Sequence, residues 1–169
     1  MRSRVRKASP AFGTTSAQSG ALSTEERDAL LSEPIVASLS TTTDDGYPYI
    51  VHVWTEWDGE AVWLLCRAKA AFVEHIRARP KVALLVARAD VAQTRVMIMG
   101  SAEIVEGPGP LVEGGRLHQY ALSMARRYRG EAGVQYIAES MAWPRVLVRI
   151  RPERFVGWGD IDWHPRYRT

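Results

Sequence analysis

Cysteine is nearly absent from this 169-residue sequence, in which Cys66 is the single example. One cysteine excludes an intramolecular disulfide and fits a reducing compartment, so we expect a cytoplasmic protein. Long apolar runs are missing too, since no stretch approaches the roughly 18 apolar residues that a membrane-spanning helix needs. The N-terminal segment also lacks the apolar stretch of a secretory signal. The sequence therefore predicts neither a disulfide-stabilised scaffold nor a membrane partner.

Acidic residues are missing from the first 20 positions, which are rich in Ser, Thr, Gly and Ala. The cations of this segment are Arg2, Arg4, Arg6 and Lys7. Without these four of the 22 bases, 18 bases remain against 19 acids, and such a near-neutral body argues against nucleic-acid binding. We therefore expect a disordered basic tail over residues 1–20 and a single domain over residues 21–169. A transit-type leader or an electrostatic tether are alternative interpretations of the tail.

Common catalytic motifs are also missing: the sequence has no GxSxG, HExxH, CxxC or P-loop. The histidines lie on separate elements without metal-ligand spacing, so we expect no metal site. They are His52, His75, His118 and His164. Cys66 ends an apolar run, which favours a small buried residue over a nucleophile. Covalent catalysis is therefore not indicated.

Short apolar runs separated by turn signals predict a mainly β (α+β) fold. Ser23 and Glu26 have capping-box spacing, which predicts a short helix that Pro34 ends. Asp45-Gly46 predicts a hairpin turn, and residues 58–60 predict a second one. The predicted strands are 35–43, 49–57, 61–66, 81–87, 94–106 and one or two within 143–158; the other predicted helices are 68–79, 111–130 and 131–140. Antiparallel strands with a helix inserted between the third and the fourth indicate a small β-barrel.

Alternation along two strands sorts side chains onto opposite faces. In residues 49–57, one predicted face carries Ile50, His52, Trp54 and Glu56, and the other carries Tyr49, Val51, Val53, Thr55 and Trp57. In residues 94–106, Gly100 is a predicted bulge or bend. If it does not shift the register, one row holds Val96, Ile98, Ala102 and Ile104, and the opposite row holds Arg95, Met97, Met99 and Ser101. The opposite row suits a flat apolar pocket for an aromatic ligand, or it packs under a helix.

Two cations, Arg67 and Lys69, stand where the third strand gives way to the next helix. Free N–H groups at a helix start favour an anion, and a guanidinium grips phosphate oxygens bidentately. The pair therefore indicates either a phosphate anchor or a solvated surface.

Four segments in this order resemble the pyridoxamine 5'-phosphate oxidase-like family of flavin-binding split β-barrels. They are "SLSTTTDDGYPYIVHVWTEWDGEAVWLLC", "HIRARPKVALLV", "RVMIMGSAEIVEG" and "PRVLVRIRPERFVGW". The resemblance spans about residues 33–158. It implies an antiparallel split β-barrel of about six strands with flanking helices, of the FMN-binding type. It also implies a homodimer with a cofactor site at each side of its interface.

The resemblance implies that the second strand and the end of the third line the cofactor, with basic residues holding its phosphate. Arg95 would read the flavin ring edge, and Trp158 would close the site, across the dimer. The implied cofactor-binding residues are Ile50, Val51, His52, Val53, Trp54, Thr55, Leu65, Cys66, Arg67, Lys69, Phe72, Arg95, Met97 and Trp158. If the face that His52 and Trp54 share is the ligand face, they are the candidates for contact with a small-molecule substrate, with His52 either a proton donor or an ordinary strand residue.

One position departs from the family pattern, in which an Arg/Ser-x-Lys motif precedes the proline at the helix end by eight residues. Counting back from Pro80 without a gap places Phe72 where that lysine belongs. With extra helix residues, Arg67 to Lys69 would be the displaced clamp, and we favour this alignment because it preserves the charge. The cofactor implied is FMN, with a deazaflavin, haem or no cofactor as alternatives. The implied function is hydride transfer to or from a small conjugated molecule, and the alternative is a non-catalytic flavin or haem carrier.

Overall fold

The fold is built on one antiparallel sheet that curls around an apolar core. The structure, a computed structural model, describes residues 22–89 and 94–159, so the predictions for residues 1–20 and for His164 lie outside the described residues. The strands are β1 Ala37–Thr42, β2 Pro48–Val53, β3 Glu56–Trp57, β4 Val62–Arg67, β5 Lys81–Ala87, β6 Arg95–Gly109 and β7 Arg145–Trp158. The helices are α1 Thr24–Leu31, α2 Ala71–Ala78 and α3 Arg116–Glu139.

The sheet order is β2-β1-β5-β6-β7-β4-β3, and every pairing is antiparallel. β2 and β3 are its two edges and do not pair with each other, so the barrel is not closed. The predicted fold class, a mainly β split barrel with flanking helices, is confirmed. None of the helices in the described ranges is long and apolar enough to cross a membrane.

Local signals predicted several of the turns and caps. Ser23 caps α1 through a complete capping box with Glu26, whose backbone N–H donates to the Ser23 hydroxyl at 3.1 Å. Gly46 has a φ of +90°, the left-handed conformation that a tight hairpin turn requires. In the second turn, the Asp58 carboxylate accepts from the backbone N–H of Ala61 at 2.7 Å. Both predicted hairpin turns are therefore present.

Several predicted elements have different bounds, and two of these differences bear on the site. The strand predicted over residues 49–57 ends at Val53, and only Glu56–Trp57 resumes pairing, now with β4. The interruption arises because buried Thr55 directs its backbone N–H to the Tyr128 hydroxyl at 3.1 Å and not to a neighbouring strand. The prediction that Trp54 and Glu56 continue one strand face with Ile50 and His52 is therefore wrong. The helix predicted from residue 68 begins at Ala71, after a turn in which the Ala70 N–H donates to the Arg67 carbonyl.

The core consists of two apolar clusters on opposite faces of the sheet. The inner cluster fills the barrel with residues such as Leu39, Leu64, Leu84, Ile98 and Val148, together with side chains from α1 and α2. The outer cluster lies between α3 and the outward face of β4 and β7, and its members include Trp63, Leu117, Met124, Ile137 and Leu147. Ligands can therefore reach only the strand surfaces that neither cluster covers.

α3 consists of two helical segments that meet at Gly130. Its φ of 58° and ψ of −141° lie outside the helical region and favour glycine. This bend at Gly130 coincides with the boundary between the helices predicted over residues 111–130 and 131–140. After it, Gly133 packs against the carbonyl of Ala125, so the second segment folds back on the first.

The irregularity predicted at Gly100 is present in the β6–β7 ladder, and its extra residue, Glu153, lies on β7. The register of β6 against β7 shifts between Met99 and Gly100, where Gly100 pairs with Pro152. A Cβ atom on Gly100 would overlap the carbonyl oxygen of Arg151 on β7. Glycine is therefore required here by the close approach of two backbones.

We expect Gly100→Ala to destabilise the protein by more than about 2 kcal/mol, because backbone atoms at a bulge cannot move aside cheaply. Gly109→Ala is the matched control, since a Cβ atom at this other β6 glycine meets nothing within 4 Å. Chemical unfolding followed by circular dichroism measures both. Equal unfolding midpoints for the two variants would contradict the proposed backbone constraint.

Candidate functional site

A cavity of about 260 Å³ opens at the split of the barrel, where the ends of β2 and β4 meet the start of α2. It is lined by His52, Val53, Trp54, Leu65, Cys66, Arg67, Ala70 and Phe72. All of these except Ala70 are among the residues predicted to bind a cofactor. The structure thus brings the two predicted strand ends together around one space.

Tyr128 of α3 fixes the position of Trp54 at the cavity wall. The two rings stack with centroids 5.3 Å apart and planes 3° from parallel. The Tyr128 hydroxyl accepts from the Thr55 N–H at 3.1 Å and lies 3.1 Å from the Ile35 carbonyl, to which it donates. Sequence reasoning missed Tyr128, because no motif marks one tyrosine of a long helix as the support for a residue 73 positions earlier.

The opposite wall of the cavity is apolar and belongs to the inner core. Phe72 is buried there, so the position that carries a lysine in the family pattern supplies no charge in this chain. Burial raises the pKa of the Cys66 thiol to about 12, so the sulfur stays protonated. The expectation that Cys66 is a small buried residue is confirmed.

Arg67 is the cation among the residues that line the cavity, and none of those residues is acidic. As the last residue of β4, it directs its guanidinium toward the corner between α3 and β7. There its Nη2 donates to the Tyr136 hydroxyl at 2.5 Å, and its Cζ lies 3.8 Å from the centroid of the Trp143 ring. Lys69 is exposed in the turn before α2 and does not line the cavity.

His52 and Trp54, the predicted substrate contacts, both line the cavity but do not share a strand face. His52 is exposed at the end of β2, with its Nδ1 3.4 Å from the Ser38 hydroxyl. Of the remaining predicted residues of this segment, Val51 packs against the inner core and Thr55 is bound to Tyr128. Ile50 lies on the open side of the sheet, where 67% of its surface is exposed.

That open side forms a second surface, which we call the open face. Cross-strand register places Ile50 and His52 of β2 on the same side as Leu85 of β5, Met97 of β6 and Val156 of β7. Met97 and Met99 are half-buried and belong to neither core cluster. The two clusters together contain the side chains that all three helices pack against the sheet. The structure therefore favours the open apolar surface over packing under a helix.

Arg95, Met97 and Trp158 do not join the cavity within one chain. Arg95 and Trp158 pair across β6 and β7, at the far end of the open face from β2. Met97 is separated from His52 by three strand spacings, or about 14 Å at the usual 4.8 Å between strands. One chain therefore presents the predicted cofactor residues as two separate groups.

Comparisons with known proteins identify similar chains. The sequence profile of pyridoxamine 5'-phosphate oxidase matches residues 23–159. A conserved hypothetical protein from Mycobacterium tuberculosis is 28% identical with a TM-score of 0.70, over 86% of this chain and 90% of that one. An F420 reductase is 26% identical with a TM-score of 0.59, over 76% of this chain and 94% of that one.

A heme storage protein from Vibrio cholerae is 17% identical with a TM-score of 0.59, over 80% of this chain and 94% of that one, which shows a shared fold alone. Among curated proteins, none matches the sequence significantly.

We expect the thiol of Cys66 to resist alkylation in the folded protein, because its raised pKa leaves almost no thiolate at pH 8. Iodoacetamide labelling followed by mass spectrometry measures this directly, since the sequence contains one cysteine. Protein unfolded in guanidinium chloride is the control and should be labelled at least about tenfold faster. Equal labelling rates in the two states would contradict the buried, protonated thiol.

Proposed function

Because the chain belongs to the pyridoxamine 5'-phosphate oxidase family, we propose that it is an oxidoreductase that uses FMN or a deazaflavin. It transfers a hydride to or from a small conjugated molecule. The observation that carries this proposal is the cavity at the end of β4, which is lined by mostly apolar side chains, by Arg67 and His52, and by no acid. An anionic cofactor with a flat apolar ring needs this combination.

The cavity residues fit part of such a cofactor. A volume of about 260 Å³ is smaller than the roughly 300–1,000 Å³ of a complete small-molecule site. It accommodates the phosphate end beside Arg67, while Trp54, Leu65 and Phe72 provide apolar walls. The ring system then extends past His52, which belongs both to the cavity and to the open face.

The cofactor supplies the hydride chemistry when bound, and this chain supplies orientation, charge and exclusion of water. Arg67 anchors the phosphate, and Trp54, held by Tyr128, sets the plane of the adjacent wall. His52 is exposed at the mouth of the cavity, where its imidazole can give a proton to a reduced substrate.

The functional unit in this proposal is a homodimer formed through the open face. Its apolar members, Ile50, Leu85 and Val156, are between 37% and 67% exposed and lie on one face of the same sheet, an apolar exposure that is typical of an interaction surface. A second copy would cover them and bring its own Arg95, Met97 and Trp158 toward the cavity. This arrangement unites the two groups of residues that one chain holds about 14 Å apart.

We expect the wild type to bind FMN or a deazaflavin, and Arg67→Ala to weaken that binding by more than about tenfold through loss of a charge-assisted phosphate contact. Fluorescence titration measures both affinities. Arg77→Ala is the control, since Arg77 is an exposed arginine of α2 that pairs with Glu74. Equal affinities of wild type and Arg67→Ala would exclude the phosphate role.

We expect Leu85→Glu to convert a wild-type dimer into monomers, because it places a charge at the apolar centre of the open face. Light scattering measures the mass. Val112→Glu is the control, since Val112 is another exposed apolar side chain, at 66%, outside the sheet. A wild-type protein with the mass of one chain would contradict the dimer.

The second candidate function is a non-catalytic carrier of a flavin or haem. It is favoured by the scarcity of proton-transfer groups at the cavity, where His52 is the one ordinary acid–base side chain among the lining residues. The absorption spectrum of the purified protein distinguishes a flavin, a deazaflavin and a haem. Oxidation of the reduced cofactor by a panel of conjugated acceptors then separates an enzyme from a carrier, and its complete absence supports the carrier.

A further inference from the structure

Two arginines face each other at the corner where α3 leads into β7. Arg67 at the end of β4 and Arg145 at the start of β7 are directly opposed in the antiparallel ladder. Strand alternation places both on the side of Leu65 and Leu147, which α3 covers. Opposed residues in such a ladder have Cβ atoms about 5 Å apart, and like charges at this spacing repel.

Arg145 is buried without a countercharge. Its residue surface is 3% exposed, and its Nη2 donates to the Ser140 hydroxyl at 2.6 Å. Its Nη1 is buried and has no hydrogen-bond partner. Within residues 22–89 and 94–159, no carboxylate forms an ion pair with Arg67 or Arg145.

The pKa of the Arg145 guanidinium is lower than its ordinary value. Burial is the larger cause, and the nearby charge of Arg67 is the second. A buried cation that lacks an anion is expensive, and proteins normally pair such groups. Arg149 lies four residues further along β7, on the same face as Arg145. Unlike Arg145, it forms an ion pair, with Glu103. The corner therefore has donors and positive charge in excess of its acceptors.

We propose that Arg67 and Arg145 together bind one phosphate group, with Arg145 as a second guanidinium beside the cation at the cavity. The inference rests on the proposed function where the phosphate belongs to the cofactor, and a free phosphate ion has the same chemistry. Phosphate oxygens accept from two guanidinium groups at once, so the group would satisfy Nη1 of Arg145 and cancel the repulsion between the arginines. Arg145, and not the exposed Lys69, is then the partner of Arg67.

Trp143 covers one side of the Arg67 guanidinium. Its indole covers the Arg67 guanidinium at 3.8 Å and is 47% exposed, while Tyr136 holds the same guanidinium from within the protein. Displacement of the indole by the phosphate uncovers this guanidinium, beside which Arg145 lies in the ladder. The cation–π contact that is lost is replaced by a stronger, charge-assisted one.

The test compares FMN with riboflavin, which lacks the phosphate, in wild type, Arg145→Met and Arg149→Met. Fluorescence titration of the full-length protein should show that wild type and Arg149→Met favour FMN over riboflavin by at least about tenfold. Arg145→Met should lose this preference and keep its affinity for riboflavin. An unchanged FMN-to-riboflavin ratio in Arg145→Met would overturn the proposal.

A second arm separates this inference from the proposed function. If the wild type binds neither flavin, the proposed flavin function fails, and inorganic phosphate alone then tests the site. Phosphate should raise the thermal midpoint of wild type and Arg149→Met more than that of Arg145→Met, and equal rises in all three would overturn the proposal.

Arg145→Met should fold, because an apolar side chain of similar length relieves the buried charge. Should it not fold, Arg145→Lys provides the same comparison. A lysine keeps the charge without the paired donors, so the preference for FMN should fall, and an unchanged preference would count against the site.

Discussion

The pairing of β6 with β7 is the interaction on which the rest of the structure depends. The ladder runs from Arg95 opposite Trp158 to Gly109 opposite Arg145, and its register shifts between Met99 and Gly100. One end supports β5 and, through it, β1 and β2, while the other end supports β4 and β3. The same two strands therefore position both groups of candidate ligand-binding residues, and a fault in their register would displace each group relative to the other.

Sequence patterns predicted the elements whose signals are local. The capping box of Ser23, the turn glycines and the bulge at Gly100 each express a conformational preference within a few residues, and the structure contains them all. Burial periodicity likewise identified the row of Val96, Ile98 and Ala102 as core. These features follow from short-range sterics and from the two-residue period of a strand.

Features that depend on distant partners were not predictable from the sequence alone. The break after Val53 arises because Thr55 bonds to Tyr128, 73 residues further along the chain. The position of Arg67 opposite Arg145 depends on the register of β4 against β7, and no local sequence pattern predicts that register. Cavity residues on β2 and β4 were identified through resemblance to a family, whereas their supports on α3 and β7 became visible only in three dimensions.

The corner at Gly130 has a mechanical consequence for the cavity. Tyr128, on one side of the corner, supports the aromatic wall at Trp54, and Tyr136, on the other side, holds the guanidinium of Arg67. The bend between the two segments of α3 therefore sets the span between the aromatic wall and the cation. Gly130 is therefore the single backbone joint between the residue that supports the aromatic wall and the residue that holds the cation.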